Sequence, residues 1–149
     1  MRVPGLEEVL QRLREAGGAR LGRGAEEREV AEVEQGLGLS LPPGYRSFLL
    51  QAGWASVGGI AVFGLGEGVP SDLDLRTVMA TARRQGLPRN LVPFSRDEDR
   101  AIYCLDAAHS GPYESPVYRW HPGASADDAL EYAGHDFASW LWMRLAERT

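Results

Sequence analysis

The sequence predicts an α+β fold in which a mainly antiparallel sheet is packed with N-terminal helices and closed by a C-terminal helix. Three observations predict it. Helical periodicity governs the chain as far as Ala52, short strand-like runs with one helix among them govern it from Ile60 to Tyr132, and a helical stripe returns after Asp136. A parallel sheet would need a helix between each pair of strands, so this segregation favours antiparallel pairing.

Val3, Leu6, Leu10 and Leu13 share one helical face, and Gly17 and Gly18 end that helix, which is expected over residues 3–16. A second helix is expected from near Ala25 to Gln35, with Val30, Val33 and Leu37 inward and Glu26, Glu27, Glu29 and Glu32 outward. Glutamates in a first turn suit the helix dipole, and a charged face is ordinarily a solvated one. Pro42 and Pro43 are pre-set for a first turn, and Leu41, Tyr45, Phe48, Leu49 and Ala52 then form an apolar face of a third helix. Gly53 stands where a left-handed cap is wanted, and Ile60, Val62 and Leu65 read as a strand.

Ser71-Asp72-Leu73-Asp74, after Pro70, reads as a capping signal of the Ser-x-x-Asp kind for a helix carrying Leu75, Val78, Met79 and Ala82. Arg83 and Arg84 suit its last turn, and Gly86 and Pro88 end it. Leu91 to Phe94 and Ala101 to Leu105 flank the polar turn Ser95 to Arg100 as a hairpin; Val117 to Trp120 gives a further strand, and Leu130 and Tyr132 an edge strand. Asp136 can cap the last helix, whose Phe137, Trp140, Leu141 and Leu145 face inward while Trp142 falls off the stripe.

A chain of 149 residues is the size of one ordinary domain, taken here as 1–149. With 44% hydrophobic and 25% charged residues the composition is that of a globular protein, and no apolar run reaches the length of a membrane span. The acidic start of the chain lacks a signal-peptide core, so a cytoplasmic location is expected. The single Cys104 precludes an internal disulfide. All sixteen basic residues are arginine, and a net charge of −5 argues against direct nucleic-acid binding while suiting a basic protein partner.

The segment LGLSLPPGYRSFLLQAG, preceded by Glu34, resembles the opening of the SUKH superfamily, also called the Smi/Knr family. VPFSRDEDRAIYCLD is similar to that family's central hairpin, PVYRW to its next strand and HDFASWL to its closing helix, so the resemblance spans about Glu26 to Leu145. The sequence departs from the pattern at Trp54, where the family often has glycine, and at the Asp97 to Asp99 turn, which lacks one. The resemblance implies a non-enzymatic scaffold. Bacterial members are widely placed as immunity proteins that neutralise toxins, often nucleases, and fungal members as regulatory hubs.

Catalytic signals are sparse. His109, His121 and His135 lie in or beside loops and cannot share a helix face as a metal-binding pair would, so neither metal nor cofactor is expected. Cys104, between Tyr103 and Leu105, reads as an inert buried thiol, and the carboxylate turn Asp97, Glu98, Asp99 as a solvated one without the glycine of a calcium loop. Gly64-Leu65-Gly66 does not fit a nucleotide loop. The aromatic residues Trp54, Trp120 and the loop residue Tyr113 are left as binding candidates. Two function classes stay open. One is a protein-binding domain using Trp54, Trp120, Asp97, Glu98, Asp99, Glu29 and Glu32. The other is a small-molecule binder or small enzyme with a cleft between helices and sheet, using Asp106, His109 and Tyr103 as acid-base groups.

Overall fold

The computed structural model describes residues 5–109, 114–125 and 128–147, His109 by its backbone alone. Val3 and Tyr113 lie outside the described residues. Helix α1 (Leu6–Glu15) leads to a short strand β1 (Arg20–Leu21), and helices α2 (Glu27–Leu37) and α3 (Pro43–Gln51) follow. Strands β2 (Ala55–Val57) and β3 (Ile60–Val62) form a tight hairpin, α4 (Leu75–Arg84) intervenes, and β4 (Leu91–Arg96), β5 (Ile102–Asp106), β6 (Val117–Trp120) and β7 (Leu130–Gly134) complete the sheet before α5 (Phe137–Ala146). The seven strands pair in chain order, each antiparallel to the next. The expected α+β class is therefore the observed one. Two strands escaped the sequence reading, β1 and β2, because each is too short to show alternation.

The pleat sends alternate residues of the central strands to two different cores. Val92, Phe94, Tyr103, Leu105 and Val117 join the main core with α1, α3 and α5, whereas Leu91, Cys104 and Trp120 meet Ala82 of α4 and Leu87 in a smaller one. In the main core Tyr45, Phe48, Phe94 and Phe137 are fully buried with ring centroids 5.3–6.2 Å apart.

The start of α5 is built as the sequence suggested, Asp136 accepting from the Ser139 N–H at 2.8 Å. Glu26 and Glu29, expected only as outward charges, form a reciprocal capping box on α2. The Ser71 cap is a correction. Ser71–Leu73 is a separate 3-10 turn, and Asp74 caps α4 by accepting from the Arg76 N–H at 3.0 Å. The start of α3 is capped by tertiary structure: with prolines at the boundary, the Gly44 N–H donates to the Glu114 carboxylate at 3.0 Å, seventy residues away. Glu34, at the end of α2, accepts from the Leu41 N–H at 2.8 Å and pairs with Arg46, fixing the loop between α2 and α3.

The glycines after α3 serve backbone crossing. Gly53 takes φ 85° as expected of a left-handed cap, its N–H reaching back to the Phe48 carbonyl at 3.1 Å. Gly64 faces it so closely that an added Cβ would fall 1.5 Å from the Gly53 oxygen. There the chain leaving β3 crosses the end of α3, which accounts for the Gly64-Leu65-Gly66 run without any ligand.

Candidate functional site

Three of the residues expected to meet a partner are buried. Trp54 is 7% exposed: Arg20 of β1 lies over its ring at 5.7 Å, and the Gly22 N–H donates to its carbonyl at 3.0 Å. Trp120 is 5% exposed and fills the smaller core with Leu87, Leu91 and Cys104. Both aromatics are packing residues of the free protein, not presented anchors. Asp97 corrects the solvated-turn expectation. It is 8% exposed, accepts from the Asp99 and Ala101 N–H groups at 2.9 and 3.0 Å and from the Tyr103 hydroxyl at 3.1 Å, and lies 3.8 Å from Arg144. Its carboxylate thus organises the turn's backbone around itself, while Arg100 at φ 66° takes the left-handed conformation that a turn glycine would supply. Glu98, Asp99 and Glu32 are exposed; Glu29 is half-buried, occupied with its capping box and 3.9 Å from Arg76.

The acid-base set of the enzyme reading does not converge. Tyr103 and Asp106 lie three places apart on β5, so the pleat sends them to opposite faces and the strand to opposite ends. Asp106 accepts from the Asn90 side chain and the Ala108 N–H, each at 3.0 Å, and so shapes a turn. The Tyr103 hydroxyl sits between Asp97 and Arg144, with burial raising its pKa. The side chain of His109 lies outside the described residues. His121 faces Glu131 at 3.6 Å and His135 is exposed. Cys104 is fully buried, and burial pushes its thiol up to about 12. Among the described residues no three His, Cys, Asp or Glu side chains gather as metal ligands, and no helix is long and apolar enough to cross a membrane.

What the surface offers is the β7 edge. Among the described residues the exposed large apolar side chains are Leu130 (37%), Tyr132 (64%) and Met143 (62%). Leu130 pairs with Trp120 and Tyr132 with Tyr118, and the two tyrosine rings meet edge-on at 6.2 Å. On one side, then, the buried aromatic surface of β6 runs out to an exposed rim. On the other side a hollow of about 440 Å³ lies between β6–β7 and α5, lined among others by Tyr103, Arg119, Arg144 and Met143. Its arginines are recessed, Arg144 being 23% exposed, while its carboxylates stand out, Glu131 at 63% and Glu147 at 61%. Because β7 ends the sheet, its outer backbone groups have no strand partner among the described residues.

The sequence reading located β7 as an edge strand but did not name it as a site. A signal was present. Leu130 and Tyr132 flank Glu131, so an edge strand carries an apolar stripe, and the single helix that follows has its own stripe committed to the opposite face.

A helix-flanked antiparallel meander of seven strands defines an α+β domain. The chain belongs to the SUKH superfamily: the family model described as SMI1-KNR4 cell-wall matches residues 6–145. That match begins before Glu26, so α1, outside the resemblance noted in the sequence, is part of the family's domain. A solved structure of a protein from Pseudomonas syringae pv. tomato is similar at a TM-score of 0.65 and 26% identity, over 93% of this chain and 95% of that one. A search of curated proteins finds no match.

Proposed function

We propose that this chain is a non-enzymatic protein-binding domain of the cytoplasm, and that its partner is a basic toxin which it neutralises by direct contact. The observation that carries the reading is that the sheet ends at β7 with apolar side chains exposed on both of its faces, Leu130 and Tyr132 on one and Met143 of α5 on the other, the latter beside the outward carboxylates of Glu131 and Glu147. Membership of a family whose usual role is binding without catalysis supports it. In this reading Tyr132 replaces Trp54 as the aromatic anchor, since a desolvated tyrosine commonly accounts for 2 kcal/mol or more of an interface. An extended segment of the partner adds to the free edge of β7 by main-chain hydrogen bonds. Glu98 and Asp99 lie on the β4–β5 turn, at the end of the sheet where Ile102, Trp120 and Leu130 form a row. From there they steer a cationic partner, raising association rate more than affinity.

The test is a protection assay. The protein encoded beside this gene is expressed in a host with and without the present chain. Growth rescued by the wild type and lost with Tyr132→Arg is expected. Toxicity unrelieved by the wild type, or rescue retained by Tyr132→Arg, would overturn the reading. With a purified partner, Glu131→Gln/Glu147→Gln slows association and flattens its salt dependence, and Tyr132→Ala speeds dissociation.

A further inference from the structure

A second surface, sharing no residue with the hollow beside β7, is lined by three arginines and one glutamate where that hollow has two of each. Between α2 and α4 runs a groove of about 560 Å³ whose floor is Val33 and Leu37 from α2, Met79 from α4, and Leu87. Arg76, Arg83 and Arg89 stand around it, opposed by Glu32. Arg76 is balanced by Asp74 at 3.5 Å and Glu29 at 3.9 Å. Arg83 is not so balanced. Its guanidinium donates to the Pro88 and Arg89 carbonyls at 2.7 and 3.2 Å, and among the described residues no carboxylate pairs with Arg83 or Arg89. Burial, with the like charge of Arg89 nearby, holds the Arg83 guanidinium below its ordinary value, although Cys104 acts in the other direction. Two neighbouring arginines without acidic partners beside an apolar floor, on a protein of net charge −5, form a local reversal of the molecule's own field.

The stems of such arginines also cover apolar surface for its own sake. That role alone does not require the heads to crowd together. An incoming carboxylate would offset their like charge, and the two carbonyl hydrogen bonds hold the Arg83 guanidinium in place at the groove. Along α4 the groove extends from Arg76 to Arg83, two helical turns or about 10 Å, the span of an i, i+3/i+4, i+7 stripe on a docked helix.

We propose that the α2/α4 groove binds an acidic amphipathic helical segment of a partner protein, its apolar stripe on Val33, Leu37, Met79 and Leu87 and its carboxylates on Arg83 and Arg89. The domain then has two unlike faces, an acidic aromatic edge and a basic apolar groove, and can join two proteins of opposite charge. The proposal is independent of the toxin reading, because it uses other residues.

The probe is a fluorescein-labelled peptide of two Leu-Glu-Glu-Leu-Leu-Glu-Glu heptads, titrated with the full chain by anisotropy, beside the same peptide with lysine for glutamate. Binding of the glutamate peptide at micromolar concentration, at least about tenfold tighter than the lysine peptide and weakened by salt, is expected. Arg89→Glu should weaken it about tenfold or more. Gly36 lines the groove with nothing within 4 Å of an added Cβ, so Gly36→Tyr fills the groove without disturbing the core and should abolish binding at unchanged Tm. Tyr132→Arg should bind the peptide normally. Failure of the glutamate peptide to bind, preference for the lysine peptide, or full binding by Gly36→Tyr would overturn the proposal. So would a dimer of the free protein that Gly36→Tyr dissociates, which would give the groove to a second copy.

Discussion

Tyr45 is the residue whose removal tests the architecture most sharply. Its ring is fully buried among Phe48, Phe94 and Phe137, and its hydroxyl donates to the Phe63 carbonyl at 2.6 Å, where the chain leaves β3. Tyr45→Phe keeps the ring and strips a buried carbonyl of that donor, a loss of about 1–3 kcal/mol. Tyr45→Ala also opens a cavity and ends three ring contacts, which brings the loss to about 5 kcal/mol, the upper end for aromatic truncation. For a chain of this length that is a drop in Tm of roughly 10–20 °C against roughly 2–12 °C for Tyr45→Phe. Urea unfolding followed by tryptophan fluorescence and by circular dichroism measures both. A loss under about 1 kcal/mol for Tyr45→Ala would refute the orientation of α3, and an unchanged Tyr45→Phe would refute the hydrogen bond.

The same side chain sets a limit at alkaline pH. Burial raises its folded pKa far above the ordinary tyrosine value of about 10, so above that pH the folded state holds a proton that the unfolded state releases. Its contribution is fully present below about pH 10 and falls by about 1.4 kcal/mol per pH unit above it. Tyr45→Phe lacks this slope, so its deficit relative to the wild type should shrink as pH rises. A constant deficit between about pH 9 and 11 would contradict the burial argument.

Cys104 acts in the same direction at lower pH: with its thiol raised to about 12, stability should begin to decline above about pH 8.5 and continue to decline through about pH 12. Cys104→Ala should remove that part of the slope, and a bulky thiol reagent at pH 8 should label the native wild type only on the unfolding timescale; labelling within minutes counts against burial. Gly64→Ala should prevent folding or cost more than about 4 kcal/mol, because the Gly53 oxygen occupies the place of the new methyl group. A well-folded Gly64→Ala protein, by thermal melt, would show that the crossing of the two chains is looser than 1.5 Å allows.

The helices and the hairpin were legible because their signals are local. The stripe Tyr45, Phe48, Leu49 and the cap Gly53 are set by spacing and by backbone sterics within one turn, and the same holds for Asp136 before Phe137. The sequence leaves Trp54 and Trp120 open between core and binding surface, since each stands at the end of an element, and it suggests a solvated Asp97 because that residue belongs to a polar run. Their burial depends on what lies opposite. Arg20 and Gly22 cover Trp54, α4 and Leu87 cover Trp120, and Arg144, 47 residues further on, faces Asp97.

The sequence by itself determined the α+β class, the order of the elements other than β1 and β2, and the apolar face of each long helix, since periodicity and capping are properties of the chain's own geometry. Tertiary structure alone decided that Glu114 caps α3, that Gly64 lies against Gly53, and that Tyr132 rather than Trp54 is presented to solvent. Exposure is a relation between residues distant in the chain. Short strands such as β1 and β2 form only because a neighbour supplies their hydrogen bonds, and the side chains that are left uncovered follow from which strand ends the sheet.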